Sequence, residues 1–283
     1  MTAKEAISQI KELPVVSATA RKLVSLLNQP DTPRTDLIKT LRCDNVLTAK
    51  VLRLCNSADA GLRHPVTSID QAVLLLGDTA LFRMVCTIGF GAPMNHGVPG
   101  YDVEANGLWG HSLSTGMAAE YIGQRESFGD FQPSVAFTAG LLHDIGKLIL
   151  NQIHTPKTRT DIRNRIALES LSRVEAERSV LGVDHAEVGA CLLQKWGLPE
   201  VIIEAVANHH SPVGQPAIQL SAVVYLANCA AHICASAPGS DAHAGRLTKS
   251  ASNLLGIEVE KVEQILLGAH EAMKAADPFL CVA

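Results

Sequence analysis

The sequence has few of the features that mark a secreted or membrane protein. Its seven cysteines are scattered, and no two have the C-x-x-C spacing of a zinc knuckle or redox motif. Their odd number and scatter predict reduced, buried thiols in a cytoplasmic protein rather than a disulfide framework. Residues 1–14 lack the apolar run of a signal peptide. No stretch approaches the ~20 apolar residues that cross a bilayer, so we expect no membrane contact.

Aromatic residues are scarce and the net charge is small. Aromatics make up 4% of the chain while hydrophobic residues make up 47%, so the core must consist mainly of Ala, Leu, Val and Ile. Such a composition suits packed helices. The net charge of −4 gives no global attraction to nucleic acid or to an anionic membrane. We therefore expect neither as a partner. At 283 residues the chain is long enough for one large or two modest domains.

Helix signals are present along the whole chain. Thr2 and Glu5 have the spacing of a capping box, and so do Ser68 and Gln71. Residues 158–180 are rich in Arg and Glu and predict one solvated surface helix. No alternation typical of a strand persists in the first hundred residues. The pattern predicts an all-α fold.

One stretch interrupts these helical patterns. The segment GFGAPMNHGVPGYD, residues 89–102, carries four glycines and two prolines, so regular structure should stop there. We interpret it as the connection between two helical lobes. The predicted organisation is an N-terminal helix at 1–12, an N-terminal lobe at 13–89, a linker at 90–102, a second lobe at 103–235, and a C-terminal helical extension at 236–283 packed on the second lobe.

Two ionisable residues, His143 and Asp144, lie in the middle of the apolar stretch VAFTAGLLHDIGKLIL. Burying such neighbours is costly unless they are paired, hydrogen-bonded or bound to a metal. The pair is either a satisfied core histidine beside a capping aspartate or part of a metal site. We expect one helix here that Gly146 ends, with the pair in its last turn.

Four further histidines lie on predicted helical segments of the second lobe. His111 is upstream of the His-Asp pair, while His185, His209 and His210 are downstream. Asp184 can cap the helix that begins at His185. The adjacent His209 and His210 are about 100° apart on a helix, so both can face one ion only if the last helical turn loosens.

The order H…HD…H…HH resembles the ligand skeleton of the HD superfamily of metal-dependent phosphohydrolases. In the first lobe, DNVLTAKVLRLCNSADAG followed by VTSIDQAVLLLG is similar to HDOD proteins, the HD-related output domains of bacterial signalling. The resemblance covers roughly Leu13 to Pro212. It implies a two-lobed all-α architecture and a role in signal transduction.

Two polar residues of the first-lobe motif, Arg53 and Asn56, have two interpretations. They could form part of a binding surface. Alternatively, Asn56 could cap the carbonyl groups of its own helix end, with Arg53 a solvated helix charge.

The resemblance also implies a metal site that holds one or two ions. Mixed nitrogen and oxygen ligands favour iron, manganese or zinc over calcium and magnesium. Two such ions that share a carboxylate can activate water for attack on phosphorus. By this resemblance the first metal is held by His111, His143, Asp144 and a later aspartate, and the second by Asp144, His185, His209 and His210.

The sequence departs from the hydrolase pattern at the last of these ligands. The helix SAVVYLANCAAH has Asn228 where a hydrolase would show aspartate, and an amide brings no negative charge to offset a cation. The first site should therefore be weak or empty. The Gly-Tyr-Pro signature of cyclic-di-GMP phosphodiesterases is also missing, because SPVGQP follows His210. Asp144 and Lys147 are the candidate catalytic residues, although Lys147 could equally be a solvated lysine.

Two functions follow from these observations. The first is a regulatory output module that contacts signalling partners and keeps a partly degenerate HD-type pocket for a metal or a phosphate-containing small ligand. The second is a working metal-dependent phosphohydrolase that acts on a nucleotide or another phosphoester.

Overall fold

The structure is a computed structural model that describes residues 1–10, 13–14, 16–27, 33–56, 65–124, 131–212, 218–235, 248–253 and 256–274. Within these ranges it contains helices and no β-strand, apart from an isolated bridge between Val98 and Val103. The all-α prediction is confirmed.

The chain begins with α1 (Ala3–Ser8), α2 (Ala18–Leu27), α3 (Arg34–Arg42), α4 (Asn45–Cys55) and α5 (Ile69–Met94). A 3-10 helix (Pro99–Tyr101) leads to α6 (Gly107–Gly123), α7 (Pro133–Leu142), α8 (Gly146–Ile153), α9 (Pro156–Glu169) and α10 (Arg173–Leu181). The remaining helices are α11 (His185–Lys195), α12 (Glu200–Ala207), α13 (Ile218–Ala235) and α14 (Val259–Met273). Helix α6 packs against α7, α13 and α14, and α11 packs against α8 and α12. The turn between α7 and α8 therefore lies among the helices that carry the other candidate ligands.

The two predicted capping boxes have different outcomes. At α1 the box is complete, because Thr2 N donates to Glu5 Oε2 at 2.8 Å and Glu5 N donates to Thr2 Oγ1 at 3.3 Å. At α5 only half of it forms. Gln71 N donates to Ser68 Oγ at 3.2 Å, but Gln71 Oε1 accepts from Thr67 N.

The predicted break at 90–102 begins later than expected, because α5 continues to Met94. Phe90 and Met94 are both completely buried, so packing holds this segment helical despite its glycines. Pro93 lies inside the last turn and cannot donate to the carbonyl group of Gly89. Ser17 N donates to that carbonyl instead, at 3.3 Å, so the proline leaves no acceptor unsatisfied.

The expected single helix around His143 is two helices. Helix α7 ends at Leu142, a turn covers residues 143–145, and Gly146 begins α8 rather than ending a helix. A Cβ atom at Gly146 would lie 2.0 Å from the carbonyl oxygen of His185 and 2.6 Å from Gly189 N. The glycine is needed for close approach of α8 and α11.

The expected surface helix at 158–180 is also two helices. Ser170 adopts a left-handed conformation (φ 56°) after α9, and Ser172 caps α10 with Glu175 in a capping box. The prediction that the whole segment is solvated is wrong for Glu177, whose side chain is completely buried. That residue becomes part of the candidate site.

Asn56 ties the end of α4 to the chain before α5. Its Nδ2 donates to the carbonyl oxygens of Leu52 and Val66, both at 2.8 Å, and its Oδ1 accepts from Val66 N at 2.7 Å. These contacts favour the structural interpretation of Asn56. Arg53 lies exposed in the last turn of α4.

Replacing Asn56 by alanine is expected to lower the free energy of unfolding by about 2 kcal/mol. All three hydrogen bonds are lost, and at this exposed position each contributes about 0.5–1 kcal/mol net. Urea unfolding followed by circular dichroism measures the change. Asn45→Ala, at an exposed position of the same helix, is the control and should change little. Equal midpoints for the two variants would mean that Asn56 is not a structural tie.

No described helix is both long enough and apolar enough to cross a membrane. Where the structure describes cysteine side chains, all five thiols are free, as expected. The expectation that they are buried is wrong for Cys43, which is exposed.

Candidate metal centre

Asp144 lies at the centre of the histidine cluster and is 1% exposed. Its Oδ2 atom is 3.3 Å from His143 Nε2 and 3.6 Å from His111 Nε2. Its Oδ1 atom is 3.3 Å from His185 Nε2 and 3.9 Å from His209 Nε2. Each carboxylate oxygen thus faces a different pair of imidazoles, which is the arrangement that a bridging carboxylate requires.

The structure brings six of the seven predicted ligand residues into two groups. Within each group the potential ligand atoms lie within 4.8 Å of one another: His111 with His143 and Asp144, and His185 with His209 and His210. The closest ring nitrogens are the Nε2 atoms of His185 and His210, at 2.9 Å.

The end of α12 explains how adjacent histidines share one group. The helix ends at Ala207, and residues 208–210 form a turn. The ring centroids of His209 and His210 consequently lie 4.0 Å apart. The last turn has loosened, which is the condition under which both rings can face one ion.

Three imidazoles are held in a defined tautomer by their Nδ1 atoms. His143 Nδ1 donates to the carbonyl oxygen of Gly140 and His209 Nδ1 donates to that of Val206, each at 2.7 Å. A carbonyl oxygen only accepts, so these Nδ1 atoms carry the hydrogen, and the opposite ring nitrogen, Nε2, faces Asp144. His185 is oriented in the same way by a carboxylate.

That carboxylate is Glu177, a residue the sequence analysis missed. Its Oε2 atom accepts from His185 Nδ1 at 2.7 Å and from the backbone N of His185 at 2.9 Å. Burial raises the pKa of Glu177, but the neighbouring His185 and its hydrogen bonds lower that pKa overall. A carboxylate behind a ligand histidine is a common support of metal sites. Nothing in the polar pattern of 158–180 distinguished Glu177 from its solvated neighbours.

The residues present fit a divalent metal ion. The Nε2 atoms of His143, His185 and His209 all face the Asp144 carboxylate, and a cation between them would bind these nitrogen and oxygen atoms together. The buried atoms Asp144 Oδ1, His209 Nε2 and Asn228 Oδ1 also have no hydrogen-bond partner within the described ranges, and a buried polar atom without a partner costs about 1–3 kcal/mol. Imidazole nitrogen with carboxylate oxygen suits iron, manganese or zinc.

The protonation states also suit metal binding. Burial is the main factor that lowers the pKa of His111 and of His209 well below the ordinary value, and it lowers the pKa of His210 to about 2. Neighbouring imidazoles lower all three further. Burial alone would raise the pKa of Asp144, yet His143 and Lys147 bring it well below its ordinary range. Neutral rings around an ionised carboxylate are the ligand forms that bind metal.

The metal-free protein should lose stability on mild acidification. His111, His209 and His210 stay neutral when folded but protonate when unfolded, so stability falls as the pH drops below the unfolded pKa of about 6.5. Three protons correspond to a loss of about 3 kcal/mol between pH 7 and 5.5. Urea unfolding midpoints, determined in chelator across this pH range, measure the loss of stability. His210→Gln should remove about a third of this pH dependence, whereas a flat profile in both proteins would contradict these protonation states.

The other two predicted site residues, Lys147 and Asn228, lie on α8 and α13. Lys147 Nζ forms an ion pair with Asp144 Oδ2 and lies 5.5 Å from the ring centroid of Tyr101. Asn228 is buried on α13. One turn later on that helix, the ring of His232 contacts the ring of His111 at a centroid distance of 4.7 Å.

A model of the HDOD domain family matches residues 13–212, more than half of the chain. The chain belongs to the HDOD family. This match confirms the family resemblance, and its range includes the five candidate histidines His111, His143, His185, His209 and His210.

Individual relatives are similar over much of the chain. An uncharacterized protein of Treponema pallidum (strain Nichols) is 27% identical over 214 residues, which cover 72% of this chain and 38% of that protein. The chain thus spans well under half the length of this relative.

Among solved structures, an HDOD domain protein of unknown function from Geobacter sulfurreducens is 25% identical, with a TM-score of 0.71 and coverage of 97% of this chain and 95% of that one. A candidate phosphohydrolase from Shewanella amazonensis SB2B is also 25% identical, with a TM-score of 0.68 and coverage of 96% and 97%.

Proposed function

We propose that this HDOD protein is a signal-transduction output module. It holds a divalent transition metal in the pocket around Asp144 and acts by binding a partner protein or a phosphate-containing ligand. One observation carries the proposal: Asp144 lies between two groups of histidines. By the family resemblance, Asn228 stands where a hydrolase would have its last acidic ligand.

The proposed metal is iron, manganese or zinc. The group His185, His209 and His210, together with Asp144 Oδ1, offers four ligand atoms and is the stronger site. The group His111 and His143 with Asp144 Oδ2 offers three. A bound ion of this kind supplies Lewis acidity and lowers the pKa of a water molecule.

Two residues argue for binding over rapid turnover. Asn228 adds no negative charge to balance a second cation, so the first group should bind metal weakly. Lys147 pairs with Asp144 Oδ2, so a second ion on that side of the carboxylate must displace the lysine and should bind less tightly than the first. A pocket with one tight ion can retain a phosphate-containing ligand without hydrolysing it efficiently.

A working metal-dependent phosphohydrolase is the second candidate. The ion pair that holds Lys147 beside Asp144 favours it, because a lysine released by metal binding could contact a substrate phosphate as a point charge. The similarity to the candidate phosphohydrolase of Shewanella amazonensis is in keeping with this alternative.

One experiment separates the two candidates. Protein reconstituted with Fe²⁺ or Mn²⁺ is assayed with p-nitrophenyl phosphate, bis(p-nitrophenyl) phosphate and a panel of nucleotides, with Asp144→Asn measured alongside. An output module predicts equal background rates for both proteins, while metal raises the melting temperature of wild type alone. Metal-dependent hydrolysis by wild type that Asp144→Asn lacks would establish the phosphohydrolase instead. Absence of any stabilisation by metal would contradict the proposed pocket.

A further inference from the structure

The two histidine groups around Asp144 differ in how many ligands they supply. His185, His209 and His210 join Asp144 Oδ1 to give four donors. The other group has only His111, His143 and Asp144 Oδ2. A metal held by three protein donors of which one is shared would bind weakly unless a further side chain completes the site.

A histidine on α13 is placed to complete it. The ring centroid of His232 is 4.7 Å from that of His111, with 38° between the ring planes. This separation lies within the range of the histidine pairs around Asp144, from 4.0 Å for His209 with His210 to 5.6 Å for His185 with His209. His232 therefore adjoins this cluster through His111. Its side chain must turn to bring a nitrogen to the ion, because it is not in the group whose ligand atoms lie within 4.8 Å of one another.

His232 also shares a helix face with Asn228. Residues four apart on an α-helix lie on the same face, one turn from each other. Asn228 is 7% exposed and its Oδ1 atom has no hydrogen-bond partner in the described part of the chain. Both side chains thus lie on one face of α13, and His232 is the one that reaches His111.

We propose that His232 is the fourth protein ligand of the metal held by His111, His143 and Asp144, and that it replaces the carboxylate that Asn228 lacks. This inference rests on the proposed metal-binding function. The exchange substitutes a neutral nitrogen ligand for an anionic oxygen ligand. Such a site favours zinc or iron over manganese, which prefers carboxylate ligands. Because His232 is exposed, the ion at this site should exchange more readily than the ion at the other.

The test is a titration of metal-free protein with Zn²⁺ against a competing chromophoric chelator. Wild type should bind two equivalents, the second more weakly than the first. His232→Ala should weaken binding of the second zinc ion at least tenfold and leave the affinity for the first unchanged. His96→Ala, which removes an exposed histidine in the segment after α5, is the control and should match wild type.

A second substitution separates ligation from ring stacking. His232→Phe keeps an aromatic ring against His111 but provides no nitrogen. If His232 is a ligand, His232→Phe should lose affinity for the second zinc ion as His232→Ala does. If His232 only stacks on His111, His232→Phe should bind zinc as wild type does. Co²⁺ adds a spectroscopic readout, because loss of a nitrogen ligand should shift the visible absorption of the second bound ion.

A double variant tests whether His232 replaces the missing carboxylate. In an Asn228→Asp background, His232→Ala should lower the affinity for the second zinc ion much less than it does in wild type. The inference is overturned if wild type and both His232 variants bind the second zinc equally, or if wild type binds only one zinc and both variants retain it. If wild type binds no zinc at all, the proposed function itself fails.

Discussion

Gly146→Ala should destabilise the protein by about 2 kcal/mol or more and abolish metal binding. Alanine is favoured over glycine in a helix by about 1 kcal/mol, so helix propensity alone predicts a gain for α8. The added Cβ would however lie 2.0 Å from the carbonyl oxygen of His185, and overpacking against backbone costs about 1–3 kcal/mol or more. The clash outweighs the propensity, and α8 and α11 must separate.

This separation has a direct consequence for the metal centre. Asp144 lies in the turn that Gly146 ends, and His185 begins α11, so moving one helix breaks the 3.3 Å approach of His185 Nε2 to Asp144 Oδ1. Gly189→Ala is the graded control, because its Cβ would meet no atom closer than 3.3 Å. We expect that variant to lose about 1 kcal/mol or less and to keep its metal. Thermal unfolding in chelator and metal analysis measure the two effects, and equal behaviour of the two variants would contradict the close-approach argument.

Asn228→Asp is expected to act in opposite directions with and without metal. In chelator the new carboxylate is a second buried acid beside the Asp144 pocket, and an unpaired buried charge costs about 3 kcal/mol. Repulsion between the two carboxylates should raise the pKa of one of them. When metal is added, the same charge becomes a ligand and the second equivalent should bind at least tenfold more tightly than in wild type.

Because asparagine and aspartate are nearly isosteric, packing should hardly change and charge is the main variable. Asn45→Asp adds the same charge at an exposed position, and it should show neither effect. Melting temperatures in chelator and with saturating Zn²⁺ are compared for the three proteins. If Asn228→Asp melts like wild type in both conditions, Asn228 lies outside the pocket.

The sequence was sufficient for the fold class and for the order of the ligand histidines. The His-Asp pair in an apolar stretch, with histidines on other helices, pointed to one buried cluster. Helix geometry gave only the condition that the last turn must loosen for His209 and His210 to face one ion, and the structure has a turn at residues 208–210. These features depend on local pattern and on a family resemblance, both of which are readable along the chain.

What escaped prediction depends on contacts between distant segments. Gly146 looked like a helix stop, yet it is required for the approach of His185, 39 positions later in the numbering. Glu177 looked solvated until α11 brought His185 against it. The break after residue 89 was placed too early because burial of Phe90 overrides its glycine neighbours. In each case the deciding contact joins residues that are not adjacent in sequence, so no local sequence pattern predicts it.

The central claim is that Asp144 joins two groups of histidines into one metal centre. It is tested most directly by elemental analysis of wild type and Asp144→Asn after reconstitution with iron, manganese and zinc in turn and removal of loosely bound ions. We expect at least one tightly held transition-metal equivalent per wild-type chain, and less than a tenth of that in Asp144→Asn. Wild type that holds no metal, or an Asp144→Asn protein that holds as much as wild type, would contradict it.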